Sequence, residues 1–198
     1  MSRTLVLASA SPARRELLAA AGIEPEVLVS GVDESQVKAD DPAELASTLA
    51  ELKAGAVRGA VAPGVLLLGC DSVLHFDGEI LGKPEGAEEA ASRWKRMRGR
   101  SGTLYTGHCL IDTAADRRIV RASGTVVHFA EVTDAEIAAY VATGEPLHVA
   151  GSFTLDGYGS AFIDRIEGDP GTVIGLSMPL LRGMLGELEI ALTDLWRS

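Results

Sequence analysis

Cysteine is scarce in this chain of 198 residues: there are two, Cys70 and Cys109, each inside an apolar run. With no secretory leader in the sequence, they are expected to be reduced, buried thiols rather than a disulfide. Long apolar runs are missing as well. No window reaches the roughly 18 uninterrupted apolar residues of a membrane-spanning helix, and no charged segment leads into an apolar stretch at the start. The expectation is a cytoplasmic protein with no membrane partner. Positive charge is in deficit, with 18 Lys and Arg against 28 Asp and Glu and a net charge of −10. That argues against binding along a nucleic acid backbone, which demands a broad basic face, so cations matter here only where they are local. Neither internal repeats nor low-complexity segments are visible, and the length suits one large domain or two intimate lobes.

Several catalytic signatures are also missing. The chain has no Walker A sequence, no Gly-x-Gly-x-x-Gly after a strand, no His-Glu-x-x-His and no Cys-x-x-Cys. The histidines, His75, His108, His128 and His148, are scattered, three of them within strand-like runs that favour satisfied or solvent-facing side chains. Neither Cys70 with His75 nor Cys109 with His108 has the context of a nucleophile and its base.

What is present begins at residues 4–22. Leu5, Val6 and Leu7 read as a buried strand, Ser11 as an N-cap, Pro12 as the first helical residue and Gly22 as a C′ glycine. Strand, tight turn and helix thus bring unpaired N–H groups and the positive end of a helix dipole together with Ser9, Ser11, Arg14 and Arg15. Two readings are open at this point, an anion site suited to phosphate and a plain capped helix with solvated arginines. Residues 25–30 read as a second strand, followed by Asp33 and Glu34, which are either hard-cation ligands or an acidic loop. Asp40 or Asp41 with Pro42 opens a helix whose apolar stripe is Leu45, Leu49, Leu52 and Ala56, with Lys53 at its edge, snorkelling or reaching into a cleft.

Residues 65–70 form the most continuously apolar stretch, as in a central strand buried on both faces, and end in Asp71 and Ser72. A carboxylate beyond the end of such a strand is either a ligand-side group or a turn cap. Asp77-Gly78 between apolar runs predicts a type I′ hairpin, after which Gly82 and Pro84 constrain the loop presenting Lys83. A helix over 87–98 with Ala90, Trp94 and Met97 inward ends at Gly99. Strands over 104–112 and 119–129 pair through a polar loop, and Thr133 with Glu136 makes a capping box for a helix ending at Gly144. Between residues 144 and 175 lie seven glycines, which predict tight turns or backbone lying against a ligand. Ser177 and Pro179 start a last helix.

Eight of these segments, in this order, resemble the Maf, or septum formation, family of nucleoside triphosphate pyrophosphatases over nearly the whole chain. They are Leu7-Ala-Ser-Ala-Ser-Pro, Val32-Asp33-Glu34, Lys53 in the second helix, Gly69-Cys70-Asp71-Ser72, Gly82-Lys83-Pro84, Tyr105-Thr106-Gly107-His108, Ala150-Gly151-Ser152-Phe153 and Ile174-Gly175-Leu176. The resemblance implies phosphate binding by Ser9, Ser11, Arg14 and Arg15, with Lys53 and Lys83 on the triphosphate and Ser72 and Asp156 among the substrate contacts. It also implies acidic residues Glu34 and Asp71 at a divalent metal, Mg²⁺ or Mn²⁺, and at the attacking water, with Asp33 as a further ligand. Ala13 stands where many members carry the first arginine of a pair. Asp156 stands where one branch, preferring thymidine and uridine triphosphates, has glutamine and another, preferring 7-methylguanosine triphosphate, has glutamate.

The expected fold is α/β, a single domain over 1–198 of two lobes around a long mixed, twisted sheet with a central cleft. The expected activity is metal-dependent hydrolysis of a nucleoside triphosphate to monophosphate and pyrophosphate, with Asp71 as general base, in a homodimer without nucleic-acid partners. Two other readings stand beside it. One is a nucleotide-binding regulator of septum formation with little turnover, as the family name allows. The other is a phosphomonoesterase with Asp71 as nucleophile, against which stands the absence of a second aspartate two residues on.

Overall fold

The computed structural model describes residues 3–196. Among the described residues seven strands and six α-helices follow one another: β1 (Leu5–Leu7), α1 (Pro12–Ala20), β2 (Glu26–Val27), α2 (Pro42–Val57), β3 (Leu66–Phe76), β4 (Glu79–Leu81), α3 (Ala87–Met97), β5 (Ser101–Asp112), β6 (Arg117–Phe129), α4 (Asp134–Ala142), β7 (Ile163–Glu167), α5 (Pro170–Ile174) and α6 (Met178–Glu187). The strand order is β2-β1-β3-β5-β6-β7, with β4 on β3. β1 is parallel to β2 and β3, whereas β4 and β7 run antiparallel to β3 and β6, so the fold is mixed α/β. None of the helices among the described residues is long and apolar enough to cross a membrane.

The chain divides into two compact units. The first holds residues up to Asp71, Thr106–Ser123 and Gly175 onward, and the second holds Ser72–Tyr105 and Gly124–Ile174. In the first unit β1 and the adjoining stretches of β3 and β5 are buried on both faces, which explains their unbroken apolar runs. Leu5, Leu7, Leu66, Leu68 and Leu110 join one cluster with Leu181, Met184 and Leu185, while the alternate residues Val6, Leu67, Cys109 and Ile111 join another with Ala50, Ala54 and Val57. Both cysteines are buried and free, as expected. In the second unit the aromatics gather: Trp94 meets Phe129, Tyr140 and Phe162 edge-on at centroid distances of 5.7, 5.5 and 5.9 Å, a favourable arrangement for ring quadrupoles.

Local punctuation follows the residue chemistry. Ser11, Asp41, Thr133 and Ser177 cap their helices, and Thr133 with Glu136 forms the full capping box. Asp77 and Gly78 both take positive φ, 54° and 80°, as a type I′ turn demands. The second strand is shorter than expected, Glu26–Val27 only, with Val27 and Val29 exposed.

The larger correction concerns α2. Its buried residues are Pro42, Ala46, Leu49, Ala50, Lys53, Ala54 and Val57, whereas Leu52 and Ala56 of the expected stripe are exposed. The reason lies on the strands. A Cβ at Gly69 in β3 would overlap the Ala50 carbonyl oxygen, and one at Gly107 in β5 would overlap the backbone at Ala46. Two strand glycines therefore admit the helix backbone itself, and a stripe of alanines fits where leucines would not. Lys53 consequently lies on the packed face rather than at its edge. Gly69→Ala is expected to lower unfolding free energy by about 1–3 kcal/mol, as for overpacking. A denaturant titration reads this directly, and an unchanged midpoint would contradict the close approach.

Candidate active site

The first unit assembles its charged groups from α1, the short turn Glu34–Gln36, α2 and β3. The turn after β1 holds Ser9, which is 7% exposed; its hydroxyl accepts from the Ser11 amide at 3.2 Å and from Arg14 Nη1 at 3.1 Å. Arg14, in the first turn of α1, is buried to 9% exposure and donates through Nε to the Gly175 carbonyl at 2.8 Å. Gly175 has a φ of 125°, a conformation that favours glycine. A guanidinium near a helix N-terminus opposes the dipole. Here the Ser9 hydroxyl and the Gly175 carbonyl hold it in place.

On α2, the buried Lys53 ammonium meets Glu34 Oε1 at 2.7 Å and forms a close ion pair with Asp71 Oδ1. The sequence suggested that Asp71 lies past a strand end. It lies instead in the middle of β3, which runs unbroken from Leu66 to Phe76. A buried carboxylate in mid-strand is tolerated because Lys53 neutralises it there. Burial pushes the Asp71 carboxyl above its ordinary range, aided by the negative charge of Glu34 and opposed by Lys53 and Arg14. Arg14, Glu34 and Lys53 thus all act electrostatically on Asp71. The neighbouring Cys70 thiol is pushed up to about 12 by burial and stays protonated at neutral pH.

Other residues singled out in the sequence stand apart from this group. Arg15 is exposed and pairs with Glu24 at 3.5 Å, beside a surface depression of about 400 Å³ that Ser9 and Ser11 also line. Asp33 turns onto its own loop, accepting from the Ser35 amide at 3.1 Å and the Ser35 hydroxyl at 2.7 Å. Ser72 follows Asp71 in β3, and consecutive strand residues face opposite sides of a sheet. Lys83 and Asp156 are exposed and belong to the second unit.

Supporting residues were not legible from the motifs. In the second unit, Arg93 on α3 donates to the Gly82 carbonyl at 2.6 Å, and the Gly151 amide donates to the same oxygen at 3.1 Å. The backbone just before Lys83 is fixed by these two bonds. Trp94 Nε1 donates to the Ser152 carbonyl at 2.7 Å, holding a residue that has a φ of 63°. In the first unit, His108 is fully buried, with Nδ1 3.1 Å from the Thr106 carbonyl and Nε2 2.9 Å from the Ser177 amide. That pairing assigns the neutral tautomer with the proton on Nδ1 and supports the start of α6.

Two of the site residues have the chemistry to hold a divalent cation. Mg²⁺ is commonly held by one or two carboxylates together with substrate phosphates and water, and Glu34 and Asp71 supply two carboxylates at one place. Among the described residues there is no group of three or more His, Cys, Asp or Glu able to hold a metal alone.

Comparison with known proteins agrees with the order of the sequence segments. A protein of Salinispora tropica named nucleoside triphosphate pyrophosphatase is 62% identical over 196 residues, covering 97% of this chain and 87% of that one. A protein of the same name from Streptomyces coelicolor is 62% identical over 197 residues, covering 98% and 95%. A solved structure from Mycobacterium abscessus, described as a nucleoside-triphosphatase or dITP/XTP pyrophosphatase, covers 93% of this chain and 94% of its own. Its TM-score of 0.43 and 14% identity are too low to bear on this chain. The family model described as Maf-like protein matches residues 4–188, nearly the whole length, and the chain belongs to that family.

Proposed function

We propose that this chain hydrolyses nucleoside triphosphates between the α and β phosphates, releasing a nucleoside monophosphate and pyrophosphate, with Mg²⁺ or Mn²⁺ as cofactor. The observation that carries this reading is the buried Lys53 ammonium held by Glu34 and Asp71, with the fixed Arg14 guanidinium acting on the same carboxylate. The names of its relatives point to the same chemistry.

In this reading water attacks the α phosphorus while Asp71 takes its proton. The bond from that phosphorus to the bridging oxygen breaks, and pyrophosphate leaves with the electron pair. A carboxyl held above its ordinary range by burial is a stronger base than an exposed aspartate. Arg14 and Lys53, with N–H groups of the first α1 turn, neutralise charge on the phosphates and orient them. Glu34 and Asp71 would hold the divalent cation, which when bound supplies further charge neutralisation at the phosphate oxygens. Ser9, Ser11, Ser72, Arg15 and Lys83 are assigned to phosphate, and Asp156 to the base, on the family resemblance. Arg15 is the outlying member, being paired with Glu24. Asp33 is the least suited metal donor because its carboxylate caps its own turn.

Product analysis in ¹⁸O-labelled water tests the proposal. The expected products are nucleoside monophosphate carrying the label and unlabelled pyrophosphate. Orthophosphate with nucleoside diphosphate would overturn it, and nucleotide recovered intact would indicate binding without turnover.

A further inference from the structure

A glutamate outside every recognised segment closes a loop in the second unit. Glu145 begins the short helical turn Glu145–Leu147 after α4. Its Oε1 accepts from the Tyr140 hydroxyl at 2.9 Å, from the Gly159 amide at 2.9 Å and from the Thr154 hydroxyl, while Oε2 accepts from the Tyr158 amide at 2.9 Å. Three of these four donors belong to one loop, one before its tip and two after. A single carboxylate thus ties the loop shut. These bonds hold the Glu145 carboxyl below its ordinary range despite the opposing effect of burial.

The glycines of this loop are explained by the same contact. A Cβ at Gly157 would overlap Glu145 Oε2, and one at Gly159 would press on the Tyr140 hydroxyl and the Thr154 backbone. Neither has a positive φ. Gly157 is a glycine because it lies against the carboxylate and Gly159 because it lies against a donor to that carboxylate and the backbone of the same loop, not because the chain turns left-handed there.

Phe153 and Gly159 are buried at the two ends, and between them Asp156 and Tyr158 are exposed, Tyr158 to 70%. A carboxylate accepts hydrogen bonds from the N–H groups on a nucleobase edge, and an aromatic ring stacks on its face. Two such groups, two residues apart on a tethered loop, have the chemistry of a base reader.

We propose that Glu145 is a positioning residue for nucleobase recognition, tying residues 154–159 shut so that Asp156 and Tyr158 are ordered before a nucleotide arrives. This rests on the nucleotide-binding reading above. Glu145 itself touches no substrate; it acts through the loop, and its loss shifts the ordering of the loop onto the binding step.

The test compares affinities of non-hydrolysable α,β-methylene nucleoside triphosphates bearing four different bases with that of inorganic tripolyphosphate, which has no base. Glu145→Gln keeps the size but replaces one of the two acceptor oxygens by an amide donor, which is set against either Tyr158 N–H or the donors that share Oε1. Thr154→Val removes one of the four bonds and serves if the first variant fails to fold. For either variant the expected result is nucleotide binding weakened about tenfold, comparable to losing one hydrogen bond to a charged group, with reduced preference among bases. Tripolyphosphate affinity is expected to stay unchanged, and amide exchange at Tyr158 and Gly159 to accelerate. Equal losses for tripolyphosphate and nucleotides would overturn the proposal, as would faster amide exchange with every affinity unchanged. Asp156→Asn measured alongside separates the two layers. If that variant keeps the base preference while Glu145→Gln loses it, Glu145 stands and the assignment of Asp156 falls. If the unaltered protein binds tripolyphosphate and every nucleotide equally, the role of Glu145 falls while the cleavage reaction, read from its products, is untouched.

Discussion

Asp71→Asn is expected to lower kcat for nucleoside triphosphate hydrolysis by at least about a hundredfold, the lower range for loss of a general base. Asparagine has nearly the same shape and its carboxamide oxygen still accepts from Lys53, so β3 and its neighbours have no reason to move. What disappears is the capacity to take a proton from water. Because Asp71 is also a candidate cation ligand, steady-state rates alone would mix two effects. Single-turnover measurements at saturating Mg²⁺ or Mn²⁺ separate them: a lost base leaves chemistry slow at every metal concentration, whereas a lost ligand is recovered by excess metal. A rate within tenfold of the original under saturating metal would remove Asp71 from the role of base.

Replacing Lys53 by methionine is expected to destabilise the protein by about 3 kcal/mol, the lower figure for removing one partner of a buried ion pair. For a chain of this size that corresponds to a fall in Tm of roughly 6–12 °C. The cost falls unequally on the two carboxylates. Glu34 has a side chain 47% exposed and can turn to water, but that of Asp71 is 9% exposed and cannot. Asp71→Asn in the Lys53→Met background should therefore restore most of the lost stability, since it removes the uncompensated charge. Calorimetry on the two single variants and the double variant reads the coupling. Additive losses would mean that the ammonium is not what keeps Asp71 ionised within the strand.

Much of the fold was visible in short-range chemistry. Ser11-Pro12, Asp41-Pro42, Thr133 with Glu136 and Asp77-Gly78 each satisfy or redirect backbone groups within a few residues, and each sits where that local requirement placed it. The buried face of α2 was misread for the opposite reason. Periodicity weighs leucine above alanine, yet the face was chosen by Gly69 and Gly107, remote in sequence, which admit only small side chains. Asp71 was placed past a strand end because the continuous apolar run stops at Cys70. Its partner Lys53 lies 18 residues earlier and leaves no local trace. Of the candidate site, Arg14, Glu34, Lys53 and Asp71 come together, and Arg15 and Asp33 face other partners. Glu145 escaped notice because its donors come from both sides of a loop, and the glycines at 157 and 159 that pack beside it read equally well as turn residues.

The close seating of α2 on β3 and β5 has a thermal consequence. A lysine on an open helix face samples many rotamers and surrenders roughly 2 kcal/mol of side-chain entropy when it grips an anion. The stem of Lys53, on the face where Ala50 and Ala54 meet Gly69, has already surrendered that freedom during folding. Whatever anion the ammonium engages meets a charge whose disorder has been spent, so its association should carry a smaller unfavourable entropy than the exposed Lys83 would bring to the same task.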